Sequence, residues 1–402
     1  MIPHDLPPLV IRGRSLLPIV QGGMGVGISA HKLAGAVAAE GGMGTIASVN
    51  LRRLHRDLME RTEGATRQII EQANLEALHR EITAALDRAK GAGLVAVNVM
   101  RAVSQYVNCA KEACKSGANA IVMGAGLPLD LPELAAGYKD VALIPILSDA
   151  RGVALIVKRW MRKGRVPDAI VIEHPGWAGG HLGAASVNDT QDRRFDMETV
   201  LPECAEALDK LGLERGEIPL IAAGGVDSHA RVRQLLDMGA SGVQLGTAFA
   251  VSTEGDADIR FKETLANARP EDIAEFTSVA GLPARAVRNA WLERYLKREH
   301  KLQQAAAMAA SNAARVCSQK WDCLIQCGLR DCLPKFGQFC IDKHLAAAQA
   351  GDVANGLFFR GKGKLPFGNE IRPVRELLSL LLTGRAEAAE ESPPASNKSR
   401  AA

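Results

Sequence analysis

The chain has 402 residues, of which 47% are hydrophobic, 23% charged and 4% aromatic. That is the composition of a globular protein with one large domain plus an appendage, or with two domains. A formal charge of +4 over this length argues against a strongly basic nucleic-acid surface and gives no reason to expect a membrane partner. With 39 glycines, tight loops are favoured over aromatic stacking surfaces.

The N-terminal stretch MIPHDLPPLVIRGRSLLPIV is interrupted by prolines, Arg12 and Arg14, so it forms no signal-peptide core. No apolar run is long enough to span a bilayer. The expected location is the cytoplasm, where the eight cysteines are thiols or ligands rather than disulfides.

In chain order, short apolar segments rich in β-branched residues end in Gly, Ser, Asn or Pro. They are LLPIVQGG, GMGTIASV, LVAVNVM, ANAIVMGAG, VALIPILS, DAIVIEHP, IPLIAAGG and SGVQLGTAF. Runs apolar on both faces indicate strands buried on both faces, as in a parallel sheet covered by helices. Helix-like stretches lie between them, including HKLAGAVAAEG, SQYVNCAKEACKSG and SHARVRQLLDMGA. Eight βα units in about 250 residues predict a closed (β/α)₈ barrel, with a doubly wound sheet as the alternative.

Two stretches interrupt the alternation. Residues 51–90 carry a long charged helical insertion, TRQIIEQANLEALHREITAALDRAK. After about residue 290 a helix beginning WLERYLKREHKLQQ leads into a cysteine-rich segment. The expected division is a barrel over 15–290, a helical Cys-rich appendage over 291–383 and a disordered tail over 384–402. There is no internal repeat.

Barrel active sites gather at the C-terminal ends of the strands, and the glycine-rich segments fall there. QGGMGVG follows the first strand, GWAGGHLG the sixth, AAGGVDS the seventh and QLGTAF the eighth. Glycines admit a ligand close to the backbone and leave amides pointing at it. The last two segments suit a phosphate site, in which Gly224, Gly225, Gly246 and Thr247 offer N–H groups and a hydroxyl to a phosphate monoester. They do not match the Gly-Lys-Ser/Thr phosphate loop of nucleotide hydrolases.

These segments, together with TSVAGLPARAVRN at 277–289, resemble the nitronate monooxygenase family and its FMN-dependent enoyl-acyl-carrier-protein reductase and quinone reductase relatives. The resemblance implies an FMN-binding barrel. It places FMN contacts on Gly22, Gly23, Met24, Asn98, Gly179, Gly180, Gly224, Gly225, Gln244, Leu245, Gly246 and Thr247. His181 falls on the family's active-site histidine. An imidazole there can take the α-proton of a nitroalkane or stabilise a nitronate or enolate anion, with a pH limb near neutrality. His174 is a weaker candidate for the same role. Many relatives carry Gly-x-Glu-Ala-Gly-Gly-His, whereas this chain reads HPGWAGGH, so Trp177 stands where the acid is usual.

The stretch CSQKWDCLIQCGLRDCLPKFGQFC holds five cysteines in 24 residues. Its spacing matches neither a paired C-x₂-C zinc site nor the usual ferredoxin run. It reads either as a metal or iron–sulfur site or as buried, unliganded thiols. Cys323, Cys327, Cys332 and Cys340 are the expected ligands, with Cys317 in reserve.

The function expected first is an FMN-dependent oxidation of alkyl nitronates or nitroalkanes with O₂. The alternative is an NAD(P)H-dependent reductase of enoyl thioesters or quinones, and a non-enzymatic redox-sensing role is the third reading. No separate dinucleotide fingerprint is present, but NAD(P)H remains open as a co-substrate that binds transiently above the flavin. The expected partner is a small-molecule substrate, with neither nucleic acid nor membrane, and a homo-oligomer is open.

Overall fold

The computed structural model describes residues 2–181, 183–309, 317 and 323–386. Its centre is a closed parallel barrel. The strands are β1 (Ile19–Gln21), β2 (Met43–Ala47), β3 (Leu94–Met100), β4 (Ala120–Gly124), β5 (Ala142–Leu147), β6 (Ile170–Glu173), β7 (Leu220–Ala223) and β8 (Gly242–Leu245). Each pairs with the next in sequence, and β8 returns to β1 through Leu245 opposite Gln21. The closed barrel, rather than the doubly wound sheet, is the architecture adopted.

Side-chain alternation explains why these runs are apolar throughout. Val20, Met43, Ala96, Val122, Ile144, Val171 and Ile221 point into the barrel, where Leu9, Ile11 and Leu16 join them. Those last three come from an antiparallel pair, Leu9–Ile11 with Arg14–Leu16, and they close the interior at the strands' N-terminal ends. The alternate residues Val95, Val97, Ile121, Leu143, Ile170, Ile172 and Val243 face the surrounding helices. Each fully buried Val, Leu or Ile contributes about 1.5–3 kcal/mol, so both faces hold the strand in place.

The helices follow the same logic. In Ala150–Met161 the buried residues Val153, Ile156, Val157 and Trp160 recur at helical spacing, and the Asp149 side chain caps the helix by accepting from Gly152 N at 2.7 Å. The charged insertion between β2 and β3 contains the helix Arg67–Ala89. It packs closely on the helix His31–Ala39, because a Cβ built on Gly35 would stand 2.9 Å from Arg88 Cβ.

Beyond the barrel, β9 (Ile273–Thr277) and β10 (Pro283–Val287) form a hairpin. The two residues Gly180–His181 add to its free edge, with Ala284 opposite His181 and Arg285 opposite Gly180. A bridge from Ala286 to Phe359 joins a later segment to the same hairpin. The helix Ala290–Ala309 follows. Near the C-terminus the helix Val374–Thr383 buries Leu377, Leu378, Leu381 and Leu382 in the layer outside the barrel. Residues 387–402, most of the tail expected to lack order, lie outside the described residues, as do residues 310–316 and 318–322 of the stretch leading into and through the cysteines. Among the described residues, no helix is long and apolar enough to cross a membrane.

Candidate active site

With the N-terminal end plugged, the barrel interior opens where the strands end, into a cavity of about 580 Å³. This lies within the range of about 300–1,000 Å³ usual for cofactor and small-molecule sites. Its floor is the last inward-facing layer of the strands: Gly22, Asn98, Met100, Gly124, Ile146, Ser148, Glu173, Ala223 and Gln244. The structure brings His181 and all twelve expected FMN contacts to this one cavity: Gly22, Gly23, Met24, Asn98, Gly179, Gly180, Gly224, Gly225, Gln244, Leu245, Gly246 and Thr247.

The glycines are there for contact reasons. A Cβ on Gly23 would stand 2.3 Å from Asn98 Cβ, so the first glycine segment lies directly against the end of β3. Gly224 and Gly225 have φ of 102° and 71°, a region that disfavours side chains. Among the described residues the N–H groups of Gly224, Gly225 and Thr247 are not spent on internal acceptors. Such a set of free amides is an anion-binding concavity. Thr247 Oγ1 accepts from Gly361 N at 3.0 Å, which leaves its own proton to donate.

His181 lines the same cavity. Its strand pairing with β10 fixes the backbone, and the Phe359 ring lies 5.7 Å away, centroid to centroid. The Nε2 atom is buried and has no hydrogen-bond partner, so it is available to a ligand. Burial with no carboxylate beside it pushes the imidazole pKa down to about 4. This corrects the expectation of a titration near neutrality: in the ligand-free cavity His181 is a neutral base. His174, the weaker candidate, is used structurally. Its Nδ1 accepts from Gly176 N at 3.0 Å, and its Nε2 lies 3.4 Å from Asp196.

Two residues escaped the sequence reading. Glu173 ends β6 with inward parity, is half-buried and lines the cavity. Burial raises its pKa to about 7, against the opposing field of Arg285. The available signal was an acid closing the otherwise apolar run AIVIE. Arg285, which is fully buried, holds the histidine loop from beneath. It donates to Pro175 O at 3.1 Å, to Ala178 O, and to Glu275 at 3.0 and 2.5 Å. Its motif, TSVAGLPARAVRN, therefore supplies both the strand that pairs with His181 and the cation that anchors the preceding turn.

Because Glu173 is protonated below about 7 and charged above, it should oppose an anionic substrate at high pH. We expect binding of a small anion in the cavity to weaken as pH rises through that value, and Glu173→Gln to keep the low-pH affinity. Paired pH profiles of the two proteins from pH 5 to 9 check this. Superimposable profiles would remove Glu173 from the site's electrostatics.

The expected metal ligands are not assembled in the same way. Cys323 lines the cavity; burial first, and then Asp342 and the neighbouring Cys327, Cys340 and Cys317, push its thiol pKa up, and Cys340 is raised by burial and then by Asp342, Cys317 and Cys327. Cys332 is buried in a turn with φ of 51°. Among the described residues no three His, Cys, Asp or Glu side chains are placed to hold a metal ion.

The model of the nitronate monooxygenase family matches residues 14–384. The chain belongs to the nitronate monooxygenase family. Among curated family members it is 33% identical to a probable nitronate monooxygenase of Bacillus subtilis over 124 residues, 31% of this chain and 33% of that one. It is 37% identical to a nitronate monooxygenase of Pseudomonas aeruginosa over 83 residues, 21% and 24% of the two chains. The matched stretches thus span a third or less of these relatives' own lengths. Among solved structures, FabK from Thermotoga maritima superposes with a TM-score of 0.63 at 20% identity, covering 91% of both chains. A nitroalkane oxidase from Streptomyces ansochromogenes gives 0.61 at 19% identity, covering 90% of this chain and 94% of that one. At such identities the two likenesses establish the shared fold.

Proposed function

We propose that the protein is an FMN-dependent oxidoreductase that oxidises alkyl nitronates and nitroalkanes with O₂. One observation carries the reading. In a chain of this family, a single cavity is lined both by free amides at Gly224, Gly225 and Thr247 and by an unpartnered imidazole nitrogen of His181.

The residues present suit FMN. Side-chain-free backbone at Gly22–Gly23 and Gly179–Gly180 admits a flat ring system, while the amides of Gly224, Gly225 and Thr247 suit a phosphate monoester. Bound there, a flavin supplies a two-electron acceptor for the substrate and, once reduced, a reductant for O₂. The chain's own part is proton handling and placement. The neutral His181 Nε2 accepts the α-proton of a nitroalkane, leaving the electron pair of that C–H bond on the nitronate. The imidazolium so formed then faces the anion it has generated, which raises its pKa above the ligand-free value. A nitronate supplied as the anion needs no such transfer. The floor residues Met100 and Ile146 give the cavity an apolar surface that disfavours water there.

Release of the cofactor and determination of its mass should give FMN. Anaerobic mixing separates the two chemistries. We expect rapid bleaching of the flavin absorbance by an alkyl nitronate and slow bleaching by NADPH. Rapid bleaching by NADPH alone would transfer the protein to the reductase class, and protein purified without any flavin would overturn the reading.

A further inference from the structure

Residues 357–365 cross the cavity mouth from His181 to the glycine loop after β7. Phe359 stands against the His181 ring. The next residue, Arg360, is buried and clamps the crossing. Its Nε donates to Leu265 O at 2.8 Å, and its Nη1 donates to Gly361 O at 2.8 Å and Gly363 O at 3.4 Å. Gly361 N donates to Thr247 Oγ1, and Lys362 N to Trp177 O at 3.3 Å. A Cβ built on Gly361 would stand 2.8 Å from Trp177 O, so only glycine permits this approach. Gly363 then passes Gly225, its would-be Cβ 3.9 Å from Gly225 Cα. Backbone anchors thereby bring Lys364 to the edge of the concavity.

The charges around the cavity make that placement consequential. Among its described lining residues Lys364 is the single Lys or Arg, against the carboxyls of Asp149, Glu173 and Asp342. Asp149 is occupied as a helix cap, and Asp342 is paired with Arg53 and Asn50. Lys364 itself is exposed and has no carboxylate partner among the described residues. A phosphate monoester carries about −1.5 to −2 at neutral pH. Backbone amides offer only partial charges, and a lysine is a common complement to them.

We infer that Lys364 supplies the cationic side chain for the cofactor's phosphate, completing from the C-terminal segment the anion site that the barrel loops begin. The inference rests on the FMN reading above. It makes flavin retention a joint property of the barrel and of a segment more than 100 residues beyond it in sequence.

The test compares FMN with riboflavin, which lacks the phosphate. Holoprotein is stripped of flavin, and both ligands are titrated by quenching of flavin fluorescence. Lys364→Ala should weaken FMN about ten- to hundredfold and leave riboflavin unchanged, while Lys364→Arg restores most of the FMN affinity. The salt dependence of FMN binding should flatten in Lys364→Ala. Lys362→Ala, whose side chain does not line the cavity, should behave as wild type. Unchanged FMN affinity in Lys364→Ala, or an equal loss for riboflavin, would overturn the inference while leaving the flavin assignment intact. Wild-type protein that binds neither ligand would overturn both.

Discussion

His181→Asn is expected to retain the flavin and to lose about 10²–10⁴-fold in turnover of a neutral nitroalkane. The glycine backbone and the amides of Gly224, Gly225 and Thr247 do not depend on the imidazole, so flavin content should match wild type. Oxidation of a preformed nitronate should suffer far less, because its proton has already gone. Stopped-flow reduction with each substrate in parallel makes the comparison. Equal losses for both would reduce His181 to positioning the substrate, and unchanged rates would remove it from the chemistry. The pH dependence adds a second test. With a pKa near 4 in the ligand-free cavity, His181 is free to accept a proton throughout the neutral range. The kcat/KM for a nitroalkane should therefore lose its histidine-dependent limb only as pH falls toward that value. Stability follows the same sign. Between the unfolded imidazole's pKa of about 6.5 and the folded value the unfolded chain binds more protons, so stability falls as pH drops through this window. His181→Asn should remove that contribution to acid sensitivity, measured by urea unfolding at pH 5 and pH 7.

Arg285→Met should cost about 3–5 kcal/mol of folding stability, the range for breaking a buried ion pair from one side. The guanidinium is fully buried and serves Glu275 and two loop carbonyls at once. Methionine fills similar volume but donates to none of them, leaving Pro175 O and Ala178 O without this donor and the Glu275 charge without its partner. The double variant Arg285→Met with Glu275→Leu should recover part of the loss, because the orphaned charge is gone while the loop carbonyls remain unserved. Full recovery would show that the loop contacts contribute nothing. A spectroscopic readout distinguishes the local role from general destabilisation. Arg285 holds the Glu173 pKa down against burial, so in Arg285→Met the Glu173 titration should move above about 7. Carboxyl-selective NMR or infrared difference spectra follow it directly, and an unmoved titration would refute the coupling.

The barrel strands and their order were legible because the signals are local. A run such as DAIVIEHP carries its own double-faced burial pattern, and a glycine pair such as Gly224–Gly225 carries its own backbone freedom. The convergence of QGGMG, AGGHLG, IAAGG and QLGT followed from one rule, that barrel sites form where the strands end. His181 was legible for the same reason. The tertiary structure alone decided what surrounds those residues. Arg285 meets Pro175 and Ala178 across more than 100 positions of sequence, and Gly363 passes Gly225 across a longer interval; no local period encodes either meeting. The neutral state of His181 and the raised pKa of Glu173 are consequences of desolvation, a property of enclosure rather than of residue type. The cysteine stretch shows the converse: density along the chain does not by itself assemble a metal site, since among the described residues no three ligand-type side chains are placed to hold an ion. Sequence determined the strands, the glycine loops and the place of the histidine, since backbone propensity and side-chain alternation act over a few residues. Closure of the barrel and the return of the C-terminal segment across its mouth set the charges, partners and protonation states, since these depend on which distant groups share one cavity.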